Sequence, residues 1–238
     1  MPSNTSTAPQ ISPETLALLR HFLTAKTSFG QLTVFHFESP RSSELGQGVE
    51  EAPLVEAACR LSGHRFVPFR PTNPEQFQEN LRYIFGTWLP AEDAKLKPQF
   101  VLHLSCHGND AGVNIGGKRL SWTHLAATIT DSVGKKDIPF VLTVSACGGP
   151  TANNLTSMFA GKIHPVYIFS FAATVAWSDA ALTWAILYNK IPELRVEDGA
   201  TMRALVTAIH ALALGDLRYH RWDGKKYWHF KPATQKDV

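Results

Sequence analysis

Two residues in this chain pair a reactive side chain with a following glycine at the end of an apolar run. His107 comes after residues 99–105 (QFVLHLS) and Cys106, and Gly108 follows it. Cys147 comes after residues 139–145 (PFVLTVS) and Ala146, and Gly148-Gly149-Pro150 follows it. A thiol with a reference pKa of about 8.5 is mostly protonated at neutral pH. A nearby imidazole raises the thiolate fraction or takes the proton as sulfur attacks. Attack on a peptide carbonyl creates an oxyanion that needs backbone N–H donors, and glycine lets the main chain turn tightly and stay uncovered there. The amides of Gly108 and Cys147 are the candidate donors.

The elements that must position this pair alternate along the chain. Strand patterns cover residues 31–37, 65–69, 99–105, 139–145 and 165–171, rich in β-branched and aromatic residues. Helical patterns cover 14–23, 53–61, 74–85, 123–129, 153–159, 178–188 and 200–214, with Pro53 and Pro74 at tolerated first-turn positions. Gly116-Gly117 between short apolar arms predicts a hairpin over 113–122, and Asp223-Gly224 predicts a second over 219–230 at a sheet edge. Strands apolar on both faces, separated by helices, imply an α/β class: a mostly parallel sheet of about six strands in a three-layer α/β/α arrangement. Ligands bind at the carboxyl ends of such strands. His107 and Cys147 leave parallel strands at the same sheet edge, so neighbouring strands would bring them over one cleft. Residues 1–12 read as a flexible N-terminus and 13–238 as a single domain.

Composition narrows the classes. The 238 residues are 44% hydrophobic and 18% charged, with a net charge of +3, so the chain is not of the disordered kind. The slight positive excess is spread out and does not point to nucleic acid. The aromatic-basic segment 219–230 could dock a partner or a single strand, but reads first as the edge hairpin. No apolar run is long enough for a membrane span, and the N-terminus lacks a signal-peptide pattern. Three cysteines do not make a disulfide framework. A cytoplasmic location is expected. Cys106, His107 and Cys147 lack the paired spacing of a zinc site, so neither metal nor cofactor is expected.

The motifs Leu104-Ser105-Cys106-His107-Gly108 and Val144-Ser145-Ala146-Cys147-Gly148-Gly149, forty residues apart between His107 and Cys147, resemble the His-Gly and Ala-Cys-Gly signatures of caspase-like cysteine peptidases. The stretch Trp177-Ser178-Asp179-Ala180-Ala181, with Leu187-Tyr188 and Ala204-Leu205 beyond it, is similar to bacterial CHAT-type members of that group. The resemblance covers roughly residues 30 to 215. It implies a caspase-like fold, endopeptidase cleavage of a protein substrate, and control by a regulatory protein or activating ligand in bacterial defence or cell death. It departs from caspases at Ser145, where they carry a glutamine that helps hold an aspartate side chain, and no arginine matches their aspartate pocket. Between Gly148 and Ser178 the only charged residue is Lys162, which excludes self-cleavage after aspartate there and suggests a single-chain enzyme. Ser145 and Asp179 are the candidate substrate-binding residues. Asp179 either favours a basic P1 side chain or simply suits the first turn of a helix. His103 reads as a packed histidine, and alternation turns Cys106 to the face opposite His107. The rival readings are a catalytically silent caspase-like interaction module and a serine hydrolase. The second lacks a G-x-S-x-G elbow.

Overall fold

The computed structural model describes residues 32–41, 43–44, 50–88, 100–134, 138–147, 155–159, 163–191, 199–212 and 214–230. The expected helix over 14–23 and the N-terminal residues lie outside them. In chain order the elements are β1 (Thr33–Ser39), α1 (Ala52–Leu61), β2 (Arg65–Phe69) and α2 (Pro74–Tyr83), which runs into a π-helical turn over Ile84–Trp88. Next come β3 (Phe100–Cys106), β4 (Gly108–Asn109), β5 (Gly112–Ile115), β6 (Lys118–Ser121), α3 (Trp122–Val133) and β7 (Val141–Ser145). The chain then forms a helical turn at 155–159. It continues through β8 (Tyr167–Phe171), α4 (Trp177–Lys190), α5 (Gly199–Ala211), β9 (Leu217–Trp222) and β10 (Tyr227–Phe230).

Helix starts follow local chemistry. The Asn73 carboxamide accepts the Gln76 amide at 2.8 Å with Pro74 at the first turn, and the Ser121 hydroxyl accepts the His124 amide at 3.2 Å. The start of α1 is capped from outside. The Glu38 carboxylate at the end of β1 accepts the amides of Glu51 (2.7 Å) and Ala52 (3.0 Å), supplying an acceptor for first-turn N–H groups that have none within the helix.

Seven strands form the central sheet in the order β10-β9-β8-β7-β3-β1-β2. The pairs from β2 through β8 are parallel, and β9 and β10 add antiparallel at one edge. This is the expected α/β/α class, with one strand more than the sequence suggested because the 219–230 hairpin is part of the sheet. Side-chain alternation splits the core in two. Phe35, Phe37, Leu102, Leu104, Leu142 and Val144 pack under α2 and α3; Val34, Val101, Val141, Tyr167, Phe169 and Phe171 pack under α1, α4 and α5. The Gly116-Gly117 turn between β5 and β6 has positive φ at both residues (58° and 79°), as a type I′ hairpin requires.

Among the described residues no helix is long and apolar enough to cross a membrane.

Candidate functional site: a thiol and an imidazole at adjacent strand ends

β3 and β7 are parallel neighbours, and their last paired residues are Ser105 and Ser145. His107 and Cys147 each stand two residues beyond that rung. The sheet therefore delivers both side chains to the same edge and, by alternation, to the α1/α4 face. They line one cleft of about 220 Å³, with Cys106, Ser145 and Ala146 from the strand ends and Thr174, Val175, Trp177 and Ala180 opposite. A second depression of about 320 Å³, lined by Gly108, Asn109, Asp110, Ala172, Ala173 and Thr174, meets the first at Cys147. The thiol thus sits between two hollows, an arrangement suited to a chain lying across it. Neither hollow is lined by a described lysine or arginine.

The imidazole is held from behind. Nε2 of His107 lies 2.7 Å from Oε2 of Glu44, which stands in the loop after β1, the strand on the other side of β3. A carboxylate only accepts, so this contact puts the proton on Nε2 and leaves Nδ1 with its lone pair as the base. Partial desolvation pushes the Glu44 carboxyl up, but hydrogen bonds from the His107 ring and the Arg41 amide outweigh it and hold the group below its usual value. The Trp177 ring meets His107 edge-on at 5.5 Å and closes one side of the cleft. Glu44 was not found from sequence. It lies in a loop of Ser, Glu and Gly with no periodic pattern, and only the fold brings it to His107.

Backbone geometry at Gly108 fits an oxyanion role. The His107 carbonyl accepts the Asn114 amide at 2.8 Å, and Gly108 pairs with Val113 on the next rung. Hydrogen-bonded and non-hydrogen-bonded rungs alternate in antiparallel pairs, so the Gly108 N–H faces away from β5. A Cβ at Gly108 would sit 2.5 Å from the Cys147 carbonyl oxygen and 3.0 Å from Ala146 Cβ. Only glycine lets these two chain segments approach so closely. Cys147 lies in a bend past the last β7 rung, so its amide is not committed to the β3–β7 ladder.

Ser145, the first of the other candidate residues, also lines the cleft, while its hydroxyl turns inward, donating to Glu51 Oε2 (2.7 Å) and accepting from Trp184 Nε1 (2.9 Å). Asp179 is half-buried in the first turn of α4 and lines neither hollow; its position is the one a helix dipole favours. Cys106 packs in the opposite core, and burial pushes its thiol up to about 12. The Cys59 thiol is raised to about 12 by burial as well. Cys147 is the only cysteine that is not buried.

Beneath the pair lies a polar cluster that sequence reasoning did not assemble. Glu51 is fully buried, and its Oε2 accepts the hydroxyls of both Ser105 (3.0 Å) and Ser145 (2.7 Å). One carboxyl oxygen thus joins the rung directly below His107 and Cys147. Its Oε1 lies 2.8 Å from His103 Nε2, while His103 Nδ1 lies 2.6 Å from the Tyr188 hydroxyl, which donates to Thr143. Desolvation drives the acid and the ring toward their neutral forms, Glu51 upward and His103 downward. His36 is the β1 register partner of His103, their rings tilted by 32° with centroids 4.4 Å apart. His36, Glu51 and His103 are the described residues whose donor atoms are grouped closely enough to hold a metal ion.

A scan against protein-family models and a search of curated proteins return no match for this chain.

Proposed function

We propose that the protein is a caspase-like cysteine endopeptidase, with Cys147 as nucleophile and His107 as proton carrier. The observation that carries this reading is the shared cleft: a half-buried thiol and an imidazole at the tips of adjacent parallel strands, with a carboxylate fixing the far nitrogen of the ring. In the reaction, Nδ1 of His107 takes the thiol proton as sulfur attacks the substrate carbonyl carbon. The negative oxygen is received by the Gly108 and Cys147 amides. The imidazolium then gives its proton to the departing amine, leaving a thioester on Cys147. Water, deprotonated by the same nitrogen, releases the acid and restores the thiol. Glu44 stabilises the imidazolium in both halves without itself being protonated.

The apolar cleft and the absence of a described cation in either hollow argue against an aspartate preference, and the placement of Asp179 argues against a basic one. An uncharged P1 side chain fits best. On the family resemblance, the substrate is a protein and activity answers to a regulatory protein or ligand in a bacterial defence or cell-death pathway. The enzyme works in the cytoplasm, where its three free cysteines stay reduced.

The test is cleavage profiling against a peptide library with Cys147→Ala protein as control. Cleavage after uncharged residues that vanishes in the control is expected. Cleavage that persists in Cys147→Ala protein would end the proposal.

A further inference from the structure

The cluster under the site presents an accounting problem. Buried polar atoms are nearly always paired. Here, four atoms in one place have no hydrogen-bond partner: both ring nitrogens of His36, Oε1 of Glu51 and Nε2 of His103. All three side chains are wholly buried. Glu51 Oε1 and His103 Nε2 are 2.8 Å apart yet not aligned as a hydrogen bond.

We propose that His36, Glu51 and His103 bind one divalent transition-metal ion of the zinc class. Their donor atoms lie within 4.8 Å of one another. Small side-chain rotations bring such a set to the roughly 3.3 Å spacing of a tetrahedral site with bonds near 2.0–2.1 Å. Two imidazoles and a carboxylate are the donor types that zinc takes. For His103 and Glu51 the supporting contacts also fit. A ligating histidine normally donates its other N–H to a fixed acceptor, and a ligating carboxylate is itself hydrogen-bonded. His103 Nδ1 meets the Tyr188 hydroxyl at 2.6 Å, and Glu51 Oε2 holds the hydroxyls of Ser105 and Ser145.

A single proton between Glu51 and His103 would explain that pair but leave both nitrogens of His36 empty. A cation at the common vertex uses one donor from each side chain. It would tie β1, β3 and the start of α1 together, directly beneath the rung that carries the reactive pair, in a structural rather than catalytic role.

The experiment uses untagged Cys147→Ala protein, so that neither the cleft thiol nor a histidine tag contributes. Elemental analysis should find about one zinc-class ion per chain. Stripping it with a chelator should lower the melting temperature, and restoring zinc at a hundredfold excess over its Kd should raise it by about 5–10 °C. Cobalt(II) loading should give the visible absorption of a tetrahedral site. His36→Gln should lose both the ion and the cobalt spectrum. Metal-free protein whose melting temperature and absorption ignore added zinc and cobalt would overturn the proposal. So would unchanged stoichiometry in His36→Gln. The readings on the parent protein decide the matter even if that variant does not fold, and none depends on peptidase activity.

Discussion

Replacing Glu44 by alanine removes a carboxylate in contact with the His107 ring. The bond is 2.7 Å long, and the two side chains are 21% and 23% exposed. Hydrogen bonds to charged groups contribute about 1.5–3 kcal/mol. Solvent access at this site argues for the lower end, about 1.5 kcal/mol, because water screens partly exposed pairs. That corresponds to a factor of about ten in rate. Glu44 favours the imidazolium, and the imidazolium favours the thiolate, so its loss must slow reactions of the thiolate. The rate of Cys147 alkylation by iodoacetamide, followed from pH 5 to 10 by intact mass, reads this without knowledge of the substrate. In Glu44→Ala alkylation near neutral pH should be about tenfold slower. Glu44→Gln should keep the ring oriented but lack the charge, so its alkylation should also slow while catalytic turnover falls less. High salt should narrow the gap between wild type and variants. Superimposable profiles for wild type and Glu44→Ala would refute the reasoning.

Three further outcomes follow from the geometry. Cys59 and Cys106 are buried with thiols raised to about 12, so native protein treated with iodoacetamide should carry one modification, mapped by peptide mass to Cys147; a modified Cys106 would contradict the burial. Gly108→Ala places a methyl group against the Cys147 carbonyl, which should destabilise by about 1–3 kcal/mol and abolish cleavage; a variant with wild-type melting temperature and turnover would remove the close approach from the account. The buried His220 ring on β9 is held down at about 4, first by desolvation and then by His229 on β10. The unfolded ring therefore binds a proton at higher pH than the folded one, and stability present above about 6.5 should fall by roughly 3 kcal/mol as pH drops toward 4. Urea unfolding at pH 7.5 and 4.5 measures this, and an equal pH slope in His220→Gln would assign it elsewhere.

The parts of the fold legible in the sequence are those where one local pattern decides the structure. The apolar runs at 99–105 and 139–145 announce β3 and β7 because strands covered on both sides need no polar face. Gly116-Gly117 and Asp223-Gly224 announce their hairpins because those turns need positive φ. His107 and Cys147 were readable because each couples strand end, reactive side chain and glycine. Glu44 and His36 were not readable, since their partners lie 63 and 67 positions away and only strand order brings them together. Ser145 shows a third case. Its sequence position two before the nucleophile suggested a substrate contact; the residue lines the cleft, and its hydroxyl also bonds Glu51 in the core. The recurrence of serine two residues before both His107 and Cys147 was a signal available for that buried rung, because equal offsets on neighbouring parallel strands place side chains on the same face.

The central claim is that Cys147 and His107 act as one chemical unit. Its most direct measurement is labelling by a mixed-sequence peptidyl acyloxymethyl ketone, an electrophile that reacts slowly with ordinary thiols, read by intact mass on wild-type and His107→Ala protein. The account predicts a single adduct on Cys147 in the wild type and little or none without His107. No adduct in folded wild-type protein, or an equal yield without the imidazole, would contradict it.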